Sequence, residues 1–180
     1  MRAQQVRIIG GLHRSRLIRF PDKPGLRPTP DRVRETLFNW LGQDLAGRHV
    51  LDLFAGSGAL GLEAASRGAS TVVLVERDGA VAESLRENVR ALSLATAQVV
   101  RMDALEFLRT DQRVFDVVFA DPPYADADPP GLAARISSHL SPEGLAYLEA
   151  PSPIADLAGW HVLRRLKAGN VHAHLLQKTP

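Results

Sequence analysis

The sequence predicts an α/β protein: a mostly parallel, seven-stranded sheet wrapped by helices, closed by a C-terminal antiparallel hairpin and preceded by a small basic hairpin-and-helix extension. Three observations carry this reading. From residue 50 onward, short apolar runs alternate with helix-like stretches, and strands spaced by helices imply crossovers and a parallel sheet. The runs at 72–75 (VVLV) and 115–120 (FDVVFA) are almost continuously apolar, as strands covered on both faces are. The last two strand-like stretches are separated only by Ala168-Gly169-Asn170, a hairpin turn.

Taken in order, residues 6–9 and 17–20 are apolar enough for two short strands around Gly10-Gly11. Residues 31–41 form a helix with Thr29-Pro30 as its start signal. Strands are expected at 50–55, 71–76, 98–102, 115–120 and 145–149, with helices at 59–67, 80–92, 104–110 and 132–140 between them. Residues 160–167 and 171–177 complete the sheet as the closing hairpin. His172 and His174 alternate along the last strand without a third ligand candidate nearby; they read as edge-strand residues, and no metal is expected.

A chain of 180 residues accommodates one α/β domain plus an appendage, so the expected division is an extension at 1–44 and a catalytic domain at 45–180. No apolar stretch approaches the roughly 20 residues needed to span a bilayer, and the N-terminus lacks the apolar core of a secretion signal. Cysteine is absent, which removes disulfides, thiolate metal sites and cysteine nucleophiles together. A cytoplasmic monomer is expected.

The net charge of +2 conceals an asymmetry. Residues 1–34 carry nine Lys or Arg against two Asp, a balance of +7; the remainder carries 13 basic and 18 acidic residues, a balance of −5. A basic arm on an acidic body suits a polyanion docking at one end. Arginine's planar fork suits phosphate, which makes Arg7, Arg14, Arg16, Arg27, Arg32 and Arg34 the candidate contacts with such a polyanion.

The most informative segment is Leu51-Asp52-Leu53-Phe54-Ala55-Gly56-Ser57-Gly58-Ala59-Leu60-Gly61, between a predicted strand and a predicted helix. Gly56 and Gly58 let the backbone turn sharply and approach a ligand. The run from Gly56 to Gly61 fits the dinucleotide fingerprint, and Glu76, 20 residues on, can accept hydrogen bonds from ribose hydroxyls. NAD and S-adenosylmethionine both present such a ribose. Asp52 favours the latter, because a pyrophosphate needs that position free of negative charge whereas an ammonium or sulfonium tolerates it. Asp103, directly after the third strand, could accept from an adenine amino group, cap the next helix, or both. The candidate donor contacts are Asp52, Phe54, Gly56, Ser57, Gly58, Glu76, Arg77, Asp103 and Ala104.

Asp121-Pro122-Pro123-Tyr124 follows the fourth strand, at the carboxyl edge where open α/β sheets bind ligands. An exocyclic base amine is a poor nucleophile because its lone pair is delocalised into the ring. Asp121 and the Pro122 carbonyl could each accept one amine hydrogen and localise that pair; the prolines remove competing N–H groups. Tyr124 could stack on the base for about 1–3 kcal/mol. Asp121 or water would take the proton. The chemistry so read is methyl transfer from S-adenosylmethionine to an exocyclic amine of a nucleic-acid base.

Residues 51–63, Glu76 and 121–124 resemble the amino-methyltransferase branch of the Rossmann-like class I methyltransferases. Arg7-Ile8-Ile9-Gly10-Gly11, Arg27-Pro28-Thr29, Arg32-Val33-Arg34-Glu35-Thr36-Leu37-Phe38 and Ser66-Arg67-Gly68-Ala69 narrow the resemblance to bacterial 16S rRNA (guanine-N2)-methyltransferases. That resemblance implies small-subunit rRNA, free or in an assembly intermediate, as partner and guanine N2 as acceptor. It also implies donor contacts around Asp52, Gly56, Glu76 and Asp103, with Asp121, Pro122, Pro123 and Tyr124 at the base. The motif chemistry itself leaves an adenine-N6 DNA or RNA methyltransferase open. More distant rivals are an NAD-dependent oxidoreductase, which leaves 121–124 unexplained, and a non-catalytic RNA-binding module.

Overall fold

The computed structural model describes residues 3–123 and 128–179. Its main sheet comprises β3 (His49–Asp52), β4 (Thr71–Glu76), β5 (Ala97–Arg101), β6 (Phe115–Ala120), β7 (Leu140–Ala150), β8 (Trp160–Ala168) and β9 (Val171–Lys178). They lie in the order β5-β4-β3-β6-β7-β9-β8, parallel up to β7, with β9 antiparallel to both its neighbours. The sequence-derived architecture is therefore present, with one correction. Strand β9 is inserted between β7 and β8, so His172 and His174 are not on an edge. His174 is buried; its Nε2 accepts from the Ile154 N–H at 3.0 Å, and its other ring nitrogen lies 3.3 Å from the Leu148 carbonyl.

The alternation of β-strand side chains divides the core in two. Val50, Val72, Leu74, Val117, Phe119 and Tyr147 face one side, where they meet α1 (Asp31–Leu41), α2 (Gly61–Ser66), α3 (Gly79–Ala91) and the N-terminal hairpin. Leu51, Val73, Val118, Ala146 and Leu148 face the other, against α4 (Ala104–Thr110) and α5 (Pro129–Ile136). Among the described residues no helix is long and apolar enough to cross a membrane.

The hairpin pairs β1 (Ala3–Arg7) with β2 (Leu17–Pro21), and Val6, Ile8, Ile18 and Phe20 join the first core layer. The expected hairpin is present, with Gly10-Gly11 inside a nine-residue loop, 8–16, that folds onto the end of α2. The buried Glu63 carboxylate accepts from the Ile9 and Gly10 N–H groups at 2.8 and 2.7 Å. It also pairs with Arg34 at 3.2 Å and Arg67 at 2.9 Å. Ser66 receives the His13 N–H and returns its hydroxyl to the Gly10 carbonyl. A Cβ on Gly11, at φ +74°, would stand 1.9 Å from the Ser66 carbonyl oxygen, so this approach requires glycine. On α3, Asn88 exchanges two hydrogen bonds with the Arg19 backbone.

Candidate active site

Ligands of parallel α/β sheets bind outside the carboxyl ends of the strands, and here that edge is lined with acids. The parallel register aligns Leu74, Asp52, Phe119 and Tyr147 across β4, β3, β6 and β7. Two residues further along three of these strands come Glu76, Asp121 and Glu149. Asp52 and Asp121 line one hollow together with Phe54, Gly56, Ser57, Arg27 and Thr29. Tyr147, fully buried, donates to Glu149 at 2.6 Å.

The donor loop is built as its sequence implies. After β3 the chain turns, yet Leu53 and Ala55 still donate to the Phe119 and Val75 carbonyls, which keeps the loop in line with the sheet. Gly56 and Gly58 both have positive φ (+50° and +82°). A Cβ on Gly58 would meet Leu85 and Leu62 at 2.6 and 2.8 Å. Ser57 is buried, with its hydroxyl accepting from the Ala59 N–H. Glu76 accepts from the Gly56 and Asp78 N–H groups at 3.0 and 2.7 Å, which ties the end of β4 to the loop. Asp103 caps α4 through Oδ1 alone, accepting from Leu105 and Glu106. Its Oδ2 has no such bond among the described residues, so capping and ligand contact are compatible. Ala104 is buried behind it, and Arg77 is exposed beside Glu76.

Electrostatically the hollow suits a cation. Burial raises the Asp52 carboxyl to about 7 against the opposing hydrogen bond from Gly61 N–H, and the Glu76 charge adds to the rise. Asp121 is pushed up to about 8, by burial first, then by Glu149 and Asp52. Glu149 is raised by burial, with Tyr147 opposing; the Tyr147 hydroxyl lies well above its ordinary range for the same reason. Acidic groups that resist ionisation gain most from a positively charged neighbour. Pro122 is buried and Pro123 exposed; Tyr124 lies outside the described residues.

The arginines predicted to meet RNA do not form one surface. Arg27 lines the hollow that holds Asp52 and Asp121. Arg14 and Arg16 are exposed on the loop held by Ser66, at the far end of α2, hence toward the opposite edge of the sheet. There Arg14 lines a separate cleft of about 540 Å³ with Glu35, Asn39, Gln43 and Arg67. Arg32 is exposed on α1, and Arg7 makes an exposed pair with Asp31 at 3.3 Å. Arg34 is a correction: its side chain is 0% exposed and is consumed by Glu63, Asp31 and the Thr29 carbonyl, so it cannot reach a phosphate. Sequence reasoning missed Glu149, Tyr147 and Glu63. Glu149 had a usable signal, an acid closing an apolar strand as Asp52 and Glu76 do; Glu63 had none.

Comparison with known proteins places this arrangement. Residues 6–177 match the family model described as Conserved hypothetical protein 95. The chain belongs to this family. Ribosomal RNA small subunit methyltransferase D of Escherichia coli K12 is 42% identical over 184 residues, which covers 97% of this chain and 90% of that protein. The solved Escherichia coli chain yhhF superposes with a TM-score of 0.86 at 42% identity, over 97% of this chain and 98% of that one. A Thermus thermophilus 16S rRNA N2 G1207 methyltransferase (RsmC), solved with AdoMet and guanosine, gives a TM-score of 0.73 at 26% identity; it covers 99% of this chain and 50% of that one. The fold of this family member is thus that of the class I methyltransferases.

Proposed function

We propose that the protein transfers a methyl group from S-adenosylmethionine to the exocyclic N2 of a guanine in small-subunit rRNA. The observation that carries this reading is the presence of Asp121, at the tip of β6, in the same hollow as the Gly56 loop and Asp52. The acid-lined hollow fits the donor's chemistry, since its ammonium and sulfonium charges offset carboxylates that a pyrophosphate would oppose. When bound, the donor supplies an electrophilic methyl. The residues of the chain do the rest. Gly56 and Gly58 give close backbone approach, Glu76 and the free oxygen of Asp103 accept from ribose and adenine, and Asp121 with the Pro122 carbonyl holds the two amine hydrogens. Preorganised acceptors of this kind stabilise the positive charge that develops on nitrogen. Tyr124 is assigned to stack on the base.

The enclosed hollow is only about 30 Å³, because Leu26 lies against Gly56 and Arg27 and Thr29 line it. Nucleoside-sized ligands occupy sites of about 300–1,000 Å³, so the donor requires more room than this hollow alone provides. Residues 1–44 act as the RNA-binding extension of a catalytic domain at 45–180, with a small subunit or its assembly intermediate as partner. The named activities of the relatives, rRNA methylation in Escherichia coli and guanine-N2 transfer in Thermus, support this choice over adenine N6.

The test is to incubate the protein with labelled donor and unmethylated small subunits, free small-subunit rRNA or duplex DNA, and to identify the labelled nucleoside by mass spectrometry. N2-methylguanosine in small-subunit RNA is expected. N6-methyladenosine would transfer the reading to the adenine enzymes, and absence of label from every substrate would overturn it.

A further inference from the structure

We infer that Glu149 is a positioning residue for Asp121: fixed by Tyr147 on β7, it shares one proton with Asp121 across the β6–β7 pair, so that a single Asp121 oxygen is turned toward the acceptor amine. The inference rests on the acceptor-site reading above.

Three observations support it. The β6–β7 register pairs Phe119 with Tyr147 and Ala120 with Leu148, which puts Asp121 beside Glu149 one step beyond the last pair. The two carboxyls are close enough to perturb each other, and neither forms an ion pair among the described residues. Both are desolvated; Glu149 is only 6% exposed. Two such groups side by side cannot both ionise cheaply, so they retain one proton between them. The Tyr147 hydroxyl donates to Glu149 Oε1, so Glu149 acts as acceptor there and the shared proton bridges from Asp121. One Asp121 oxygen is thereby occupied and its carboxyl plane fixed, while the other is free for the amine. The charged and titratable groups around the pair are Tyr147 on β7, Asp52 on β3 and Arg27, which lines the hollow; β9 offers Ala173 opposite Glu149.

A proton-bridged pair has a consequence that simple packing lacks. As pH rises past about 8 the bridge is lost, the carboxylates repel, and Asp121 leaves its working orientation. The bound donor's positive charge lowers that value, so wild-type kcat on small-subunit RNA should show an alkaline limb at or below pH 8. In Glu149→Gln the amide donates to Asp121 at any pH, so kcat near neutrality stays within a few fold and this alkaline limb disappears. In Glu149→Ala kcat falls at least about tenfold, with the KM for RNA and the donor Kd within about threefold. A limb that persists in Glu149→Gln, or an unchanged kcat in Glu149→Ala, overturns the inference. In the enzyme alone, the infrared band of buried protonated carboxyls lost between pH ~7 and ~9.5 should be smaller by one group in Glu149→Gln; an equal loss contradicts the shared proton. If Asp121→Asn keeps wild-type turnover, the acceptor-site reading itself fails; if only the Glu149 variants behave as wild type, that reading stands and this inference does not.

Discussion

Replacing Glu63 by Ala should loosen the whole N-terminal extension, although the residue touches neither donor nor acceptor. Its carboxylate, 0% exposed, is the shared partner of Arg34 (0%) and Arg67 (6%) and the acceptor for two N–H groups of the hairpin loop. Removing one partner of a buried ion pair costs about 3–5 kcal/mol, because the remaining charge is left uncompensated. Each N–H left unsatisfied adds about 1–3 kcal/mol unless water reaches it. Arg34 keeps Asp31 and the Thr29 carbonyl, and Arg67 keeps Gln43, so the lower part of this range applies. A net loss of about 4 kcal/mol follows. For a chain of this length each kcal/mol shifts Tm by about 2–4 °C, so the fall is on the order of 10 °C. The assay is thermal and urea denaturation, combined with limited proteolysis of loop 8–16. Cleavage there should accelerate, because that loop's docking on Glu63 and Ser66 is what shields it. A Tm within about 3 °C of wild type, or unchanged proteolysis, would refute the assignment of Glu63 as the anchor.

Other consequences are more local. Gly58→Ala forces a Cβ to 2.6 Å from Leu85 at φ +82°; it should cost about 3 kcal/mol of stability and at least about tenfold in donor affinity by calorimetry, and a neutral result would contradict the loop geometry. Asp52 (about 7) and Asp121 (about 8) bind protons more tightly in the folded state than in the unfolded chain, so their contribution is complete below about pH 4 and is lost as pH rises through their folded values. Stability of the ligand-free protein should thus decline between pH ~5 and ~8, and Asp52→Asn should reduce that slope by up to about 1.4 kcal/mol per pH unit; an unaltered slope would exclude Asp52 as the source. Substituting Arg14 and Arg16 by Gln should flatten the salt dependence of RNA binding by about 0.7 per lost phosphate contact, and an unchanged slope would show that loop 8–16 does not meet the backbone.

Much of the fold could be read because its signals were local. Strands β4 and β6 and helix α4 have the bounds that their apolar runs and flanking acids predict. Helix α5 was misread for a specific reason. The helix expected from 132 starts at Pro129 instead, because Pro129 and Pro130 occupy its first turn, where a missing N–H costs nothing, behind the Asp128 cap. The expected continuation to 140 fails because Leu140 already pairs with Phe115 in the sheet. The site divides similarly. The glycine loop, Asp52, Glu76 and Asp121 were legible because each sits at a strand end with a known geometric duty. Arg34 and Glu63 were not: a charged residue in an amphipathic helix reads as solvated, and only tertiary contact shows that these two bury each other. The separation of Arg14 from Arg27, which line different clefts, likewise depends on how the hairpin docks, which charge counts do not encode.

The role of Asp121 is tested by single-turnover methyl transfer in Asp121→Asn, measured alongside donor affinity. An acceptor that serves the transition state predicts a rate at least about 100-fold below wild type with donor Kd changed less than about threefold. Transfer at the wild-type rate would contradict the account, as would a rate loss fully matched by lost donor binding.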